Sequence, residues 1–249
     1  MTDAAASIVV LVCADAEWRV VRRTIKTQRV RRSPFGEWFA AWLGAGRYRT
    51  RVLFCQTGCG KIPAAAATQH VIYTWNPGLI VNLGTCGGFG GHVNAGDTLL
   101  VTRTVVYDII ERTGRAREQI EKVATDVDLS WLTEPCPVSV TPAVMATADQ
   151  DLDPANMAAL NADHGAVAAD WESGAIAYVV ARNRRCGRNV RLLILRGVSD
   201  VVEEGGRPSR EAAIERGGAA VMRRLLRDLP LWVVRGEASP INNAGVRRV

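Results

Sequence analysis
An α/β fold with a largely parallel sheet, covered on both faces, is what this sequence predicts. Short apolar runs alternate with helix-period segments along the whole chain. The runs are apolar on successive residues rather than on every second one, the pattern of strands buried from both sides. The chain has 249 residues, 48% of them hydrophobic, enough for one large α/β domain with a sizeable core.

The elements follow in order. Residues 7–13 form a continuous apolar strand. Residues 16–26 read as an amphipathic helix, with Trp18, Val21 and Ile25 on one face. Strands are expected over 38–43 and 51–56. After the turn TGCGK (57–61), an Ala-rich helix runs over 62–74, and Asn76-Pro77-Gly78 stops it. A buried strand at 79–83 leads into GTCGGFGG (84–91), read as a Gly-rich turn. A strand at 97–104 follows, then a polar stretch, 111–135, with the look of a flexible loop over a site. Next come a strand at 138–147, a helix at 173–183 capped by Asp170 or Ser173, and a strand at 191–195 ending in RGVSD (196–200). A long helix over 211–229 closes a single domain, 1–235, and 236–249 reads as a loose tail.

Composition narrows the function. The net charge is +6, and much of it comes from Arg19, Arg22, Arg23, Lys26, Arg29, Arg31 and Arg32. Without interleaved aromatics or a nucleic-acid module, that cluster reads as a solvated helix face and loop. Six cysteines without a CxxC pair, and three histidines, argue against zinc and fit a reducing cytoplasm. The start of the chain has a short apolar run and no basic leader, so it reads as a strand rather than a signal peptide. No segment reaches the roughly 20 apolar residues of a membrane span. Neither a metal nor a cofactor is expected.

In parallel α/β sheets, ligands sit at the carboxyl ends of strands. The polar residues there are Asp15 and Glu17, Thr85, and Arg196, Ser199 and Asp200, joined by Glu172 just before a helix. GTCGGFGG lacks the GxGxxG spacing of a dinucleotide site, and TGCGK lacks that of a phosphate loop. Alone, each turn reads as structural.

Together, ADAEW after the first strand, GTCGG, DWESGA and RGVSD occur in an order that resembles the nucleoside phosphorylase and nucleoside hydrolase superfamily. Within it the likeness is to the 5′-methylthioadenosine/S-adenosylhomocysteine nucleosidases, over residues 7–230. The resemblance implies a phosphorylase-type three-layer sandwich with a central mixed sheet flanked by helices, usually as a homodimer. It implies a purine nucleoside as substrate, with Glu17 activating the attacking water and Asp200 giving a proton to purine N7. Glu172 would grip the ribose hydroxyls. Arg196 would orient the water and the carboxylates, Thr85 would line the water side, and Ser199 would support Asp200. Trp171, in place of the usual Met, and Leu152 would wall the sugar or base. Asp170 is expected to brace the helix start.

The chemistry calls for such residues. An N-glycosidic bond breaks into a poor anionic purine and a cationic, oxocarbenium-like sugar. A protonated N7 makes the base a neutral leaving group, and each proton-transfer group contributes roughly 10²–10⁴ in rate. Phosphorylases of the superfamily usually carry Arg where this chain has Asn82, so water is the expected nucleophile. Ala14 replaces a usual Met, and 206–215 lacks an aromatic that often lines the 5′ pocket. A phosphorylase, a futalosine-type hydrolase and a non-catalytic nucleoside-binding relative stay open.

Overall fold
Successive residues of the first strand, β1 (Ile8–Val12), point to opposite sides, and both sets are buried. Val9 and Leu11 join one apolar cluster, while Ile8, Val10 and Val12 join another. A sheet with two buried faces must lie between two helical layers. The computed structural model describes residues 7–26, 29–44, 46, 49–133, 135–203 and 211–238, without the side chains of 211–216 and 237–238.

After β1 come α1 (Asp15–Thr24), β2 (Arg31–Ser33), β3 (Gly36–Leu43), β4 (Thr50–Gln56) and α2 (Lys61–Trp75). The middle of the chain holds β5 (Leu79–Phe89), β6 (Thr98–Val106), α3 (Ala116–Val123), β7 (Thr125–Asp126) and β8 (Thr141–Thr147). Then follow α4 (Pro154–His164), β9 (Ala166–Asp170), α5 (Ser173–Arg185), β10 (Arg191–Val202) and α6 (Glu211–Ala238). Helices α2 and α5 supply Val71, Ile72, Trp75, Ile176 and Val180 to one face. Helices α1 and α6 supply Trp18, Val21, Met222, Leu225, Leu229 and Trp232 to the other.

The sheet is mixed rather than largely parallel. Parallel pairs join β1 to β4 and β5, β5 to β10, and β8 to β6 and β9. Antiparallel pairs join β10 to β6, β5 to β9, and β3 to β2 and β4. Because β10 pairs with both β5 and β6, and β9 turns back onto β5, strands β5, β10, β6, β8 and β9 close into a ring. Beyond β1 the sheet continues as an open wing of β4, β3 and β2.

Several sequence expectations are corrected. Of the run 84–91 only Gly90 and Gly91 lie in a turn: β5 continues through the rest to Phe89, its backbone bonded to β10 and β9. Cross-strand pairing holds these glycines extended despite their weak strand preference. Residues 111–135 are not a loop over a site, since they contain α3 and β7, and β7 pairs with β6. Helix α4 and strand β9 were not expected, although Asp153 accepts from Ala155 N at 2.9 Å as an N-cap and Gly165 ends α4 at φ 70°. Helix α6 runs past Leu229, through Pro230, to Ala238, so 236–238 is helix rather than tail. Burial of Trp232 and Val233 outweighs the hydrogen bond lost at the proline. Residues 239–249 lie outside the described residues, as do 206–210 and the side chains of 211–215, where an aromatic was sought.

Candidate active site
The carboxyl ends of β1, β5, β8 and β10, with the segment after β9, surround one cavity of about 590 Å³. Each end brings a different function. Glu17 lies in the first turn of α1, and its Oε2 accepts from Ala14 N at 3.3 Å. Its Oε1 accepts from Thr85 N at 2.6 Å and Thr85 Oγ1 at 2.8 Å, so β5 aims the carboxylate into the cavity. This close approach needs Gly84. A Cβ there would stand 2.9 Å from Glu17 Oε1 and 3.1 Å from Arg196 Nη1.

Strand β10 carries the opposite wall. Its register against β5 slips between Val198 and Asp200, which leaves Ser199 as an extra residue. Neighbours on a regular strand face opposite sides, whereas a bulge re-aims them. Ser199 and Asp200 accordingly both line the cavity, with Ser199 Oγ 2.6 Å from Asp200 Oδ1 and 3.1 Å from Cys86 O.

Asp170 and Glu172 flank Trp171 and do different work. Asp170 accepts from Arg196 Nε and from Thr147 Oγ1, both at 2.8 Å, and from Ser173 N at 3.2 Å. Ser173 Oγ also donates to it. It braces the start of α5, as expected, and neutralises Arg196. Glu172 instead faces the cavity and accepts from Gly60 N at 2.9 Å. Burial, then the charge of Asp170, push the Glu172 carboxyl up to about 8, against the Gly60 N–H and Arg196, which favour its ionised form.

Arg196 lies beneath these groups and is only 1% exposed. Its Nη2 donates to Asn82 Oδ1 at 2.6 Å, and its Nη1 lies beside Glu17 and Gly84. Burial opposes its charge, but the carboxylates around it, Asp170 foremost, keep it firmly protonated. The carboxylate that pairs with Arg196 is that of Asp170.

The cavity thus gathers Glu17, Thr85, Leu152, Trp171, Glu172, Ser199 and Asp200. Two candidates do not line it: Arg196, which acts from below, and Asp15, which opens onto a separate groove. The sequence reading missed Cys59, Gln150 and Asp151 on the lining, and the Gly60 N–H that holds Glu172. TGCGK did carry a signal for the last. Gly58 and Gly60 take φ of 84° and 89°, a conformation that favours glycine and turns backbone N–H groups toward a site.

The charge of the lining is one-sided. It contains Glu17, Asp151, Asp170, Glu172 and Asp200, and no lysine or arginine among the described residues. Asn82, where a phosphate-holding Arg would stand, is fully buried under Arg196. Arg19 opens onto a separate groove with Asp15, Arg32 and Glu37.

The chain resembles known proteins across most of its length. A 5′-methylthioadenosine/S-adenosylhomocysteine nucleosidase from Anoxybacillus flavithermus is 26% identical over 177 residues, 66% of this chain and 74% of the relative. The 5′-methylthioadenosine nucleosidase of Arabidopsis thaliana superposes with a TM-score of 0.69 at 22% identity, over 97% of this chain and 99% of that one. A futalosine hydrolase of Helicobacter pylori superposes equally well, at 0.69 and 16% identity, over 90% and 97%. The sequence profile described as the Phosphorylase superfamily matches residues 43–227, and the chain belongs to that family.

Proposed function
We propose that this protein is a nucleosidase. It hydrolyses the N-glycosidic bond of a purine nucleoside such as 5′-methylthioadenosine or S-adenosylhomocysteine and releases the free base. One observation carries the reading: Glu17, Glu172 and Asp200, far apart in sequence, line a single cavity while the buried Arg196 neutralises the acid beneath them.

Each group has a task in this reading. Asp200, supported by Ser199, delivers a proton to N7 of the base, so a neutral purine departs. The positive charge on the sugar is met by an acidic wall that is already in place, which costs no reorganisation in the transition state. Glu17 takes a proton from the attacking water, and Thr85 and Ala14 hold its carboxylate for that purpose. Glu172 grips the ribose hydroxyls. A carboxyl titrating near 8 holds its proton at neutral pH, so it can donate to one hydroxyl and accept from the other. Trp171 and Leu152 supply apolar walls for sugar and base.

Water is favoured over phosphate because a phosphate dianion would enter an acidic lining with no guanidinium among the described residues. The homodimer that the resemblance implies would have exposed apolar side chains such as Ile62, Tyr73 and Ile110 to cover. Its six free thiols fit a cytoplasmic location, and residues 1–235 would act as one domain.

Incubation with 5′-methylthioadenosine, with and without phosphate, tests the reading. Free adenine and free sugar without phosphate are expected. Strict dependence on phosphate, or binding without turnover, would overturn it. Sedimentation velocity tests the dimer.

A further inference from the structure
We propose that Lys61, Asp108 and Asp149 form a latch outside the cavity that positions Glu172 by holding the 58–61 turn against it. The inference rests on the reading of Glu172 as the ribose-binding group.

The latch ties three segments together. Lys61 opens α2, Asp108 follows β6, and Asp149 follows β8. Lys61 Nζ is paired with both oxygens of Asp108 and lies 3.7 Å from Asp149 Oδ2. The backbone is locked as well: Lys61 N donates to Asp149 Oδ1 at 2.8 Å, and Asp149 N donates to Asp108 Oδ2 at 2.9 Å. The turn therefore has no slack next to Gly60, whose N–H is the donor to Glu172. Gly60 is also pressed against the latch, since a Cβ on it would stand 2.9 Å from Asp149 Oδ1. None of the three latch residues lines the cavity.

This arrangement explains a mismatch between the cluster and its place. Surface ion pairs contribute little to stability. Here Lys61 and Asp108 side chains are only 22% and 17% exposed, and their bonds tie the 58–61 turn to the segments after β6 and β8. Such a cluster orients a group rather than filling a core. If the turn relaxes, Glu172 keeps its burial and the charge of Asp170 but loses its N–H partner, and its carboxyl is no longer fixed. The latch residues are positioning residues. They do not touch the substrate.

The test compares 5′-methylthioadenosine with its 2′-deoxy analogue. The ratio of kcat/KM for the two reports how well the hydroxyls are gripped. Asp149→Ala and Lys61→Met should each lower that ratio by up to about tenfold, the size of one hydrogen bond. Asp149→Asn, which keeps an oxygen for Lys61 N, should retain most of it. A latch that is merely structural would lower Tm and leave the ratio unchanged. Glu172→Gln, measured in parallel, separates the two failures. If it lowers the ratio and neither Asp149→Ala nor Lys61→Met does, the latch is wrong. If it leaves the ratio unchanged, the ribose role is wrong and the latch with it.

Discussion
Charge is used in opposite ways at the two ends of the sheet. On the wing, arginines lie over aromatic rings in partly solvated pairs. Arg31 sits 5.0 Å from the Trp38 ring centroid and Arg22 5.8 Å from that of Phe39, with Arg22 Nη1 3.0 Å from Glu37 Oε2. On the ring, Arg196 is sealed from solvent, and its charge is matched by Asp170 and Glu17. The wing's charges can be rearranged at little cost because water screens them. The ring's charges cannot, so they are held by backbone donors at fixed distances. The lesson is that chemistry here resides where carboxylates are few, buried and individually tethered.

The comparison can be broken most sharply at Asp200. Asp200→Asn should lower kcat by about 10²–10⁴ while leaving substrate binding largely intact, if this group transfers a proton. Steady-state kinetics alongside calorimetric binding would read both. Arg196→Met comes next. It removes one partner of a buried pair and should cost about 3–5 kcal/mol of stability, measurable by urea unfolding, because Asp170 is left uncompensated.

A pH series sharpens the contrast further. The Glu172 carboxyl is raised in the folded protein to about 8. Its contribution to stability is therefore complete below the ordinary Glu range, declines as pH rises, and levels off above about 8. Wild type should lose stability between pH 5 and about 8 relative to Glu172→Gln, as thermal melts would show. The smallest effect belongs to the wing. Arg31→Ala should change stability by less than about 1 kcal/mol and leave kcat/KM unaltered.

Much of the ring was legible because its strands are continuous apolar runs, and because Glu17, Glu172 and Asp200 fall where strands end. What escaped the sequence shares a physical cause. Strand β9 reads AVAAD, and alanine has no strand preference of its own, so the pairing with β8 and β5 decides it. The continuation of β5 through Gly84, Gly87 and Gly88 is likewise decided by neighbours. Gly60 is a backbone contribution, and a sequence does not show which way an N–H points. Asp170 was expected to brace the start of α5 and does accept from Ser173 N, but the cap position is Glu172 rather than Asp170 or Ser173, and the bond of Asp170 to Arg196 spans 26 residues and emerges only from the fold. The Arg-rich segment was read as helix face and loop, yet Arg31–Ser33 is strand β2, paired with Gly36–Leu43.

The wing's last strand also bears on how the protein survives crowding. Where a sheet curls back on itself, its backbone groups are all occupied, and the hazard of joining another molecule's strands moves to the open side. There the border is β2, three residues long, with Arg31 and Arg32 on it and Pro34 just after it. Two cations repel a like neighbour, and a proline cannot donate to one. Neutralising both arginines should therefore raise the tendency to aggregate, read by light scattering, without touching a single catalytic group.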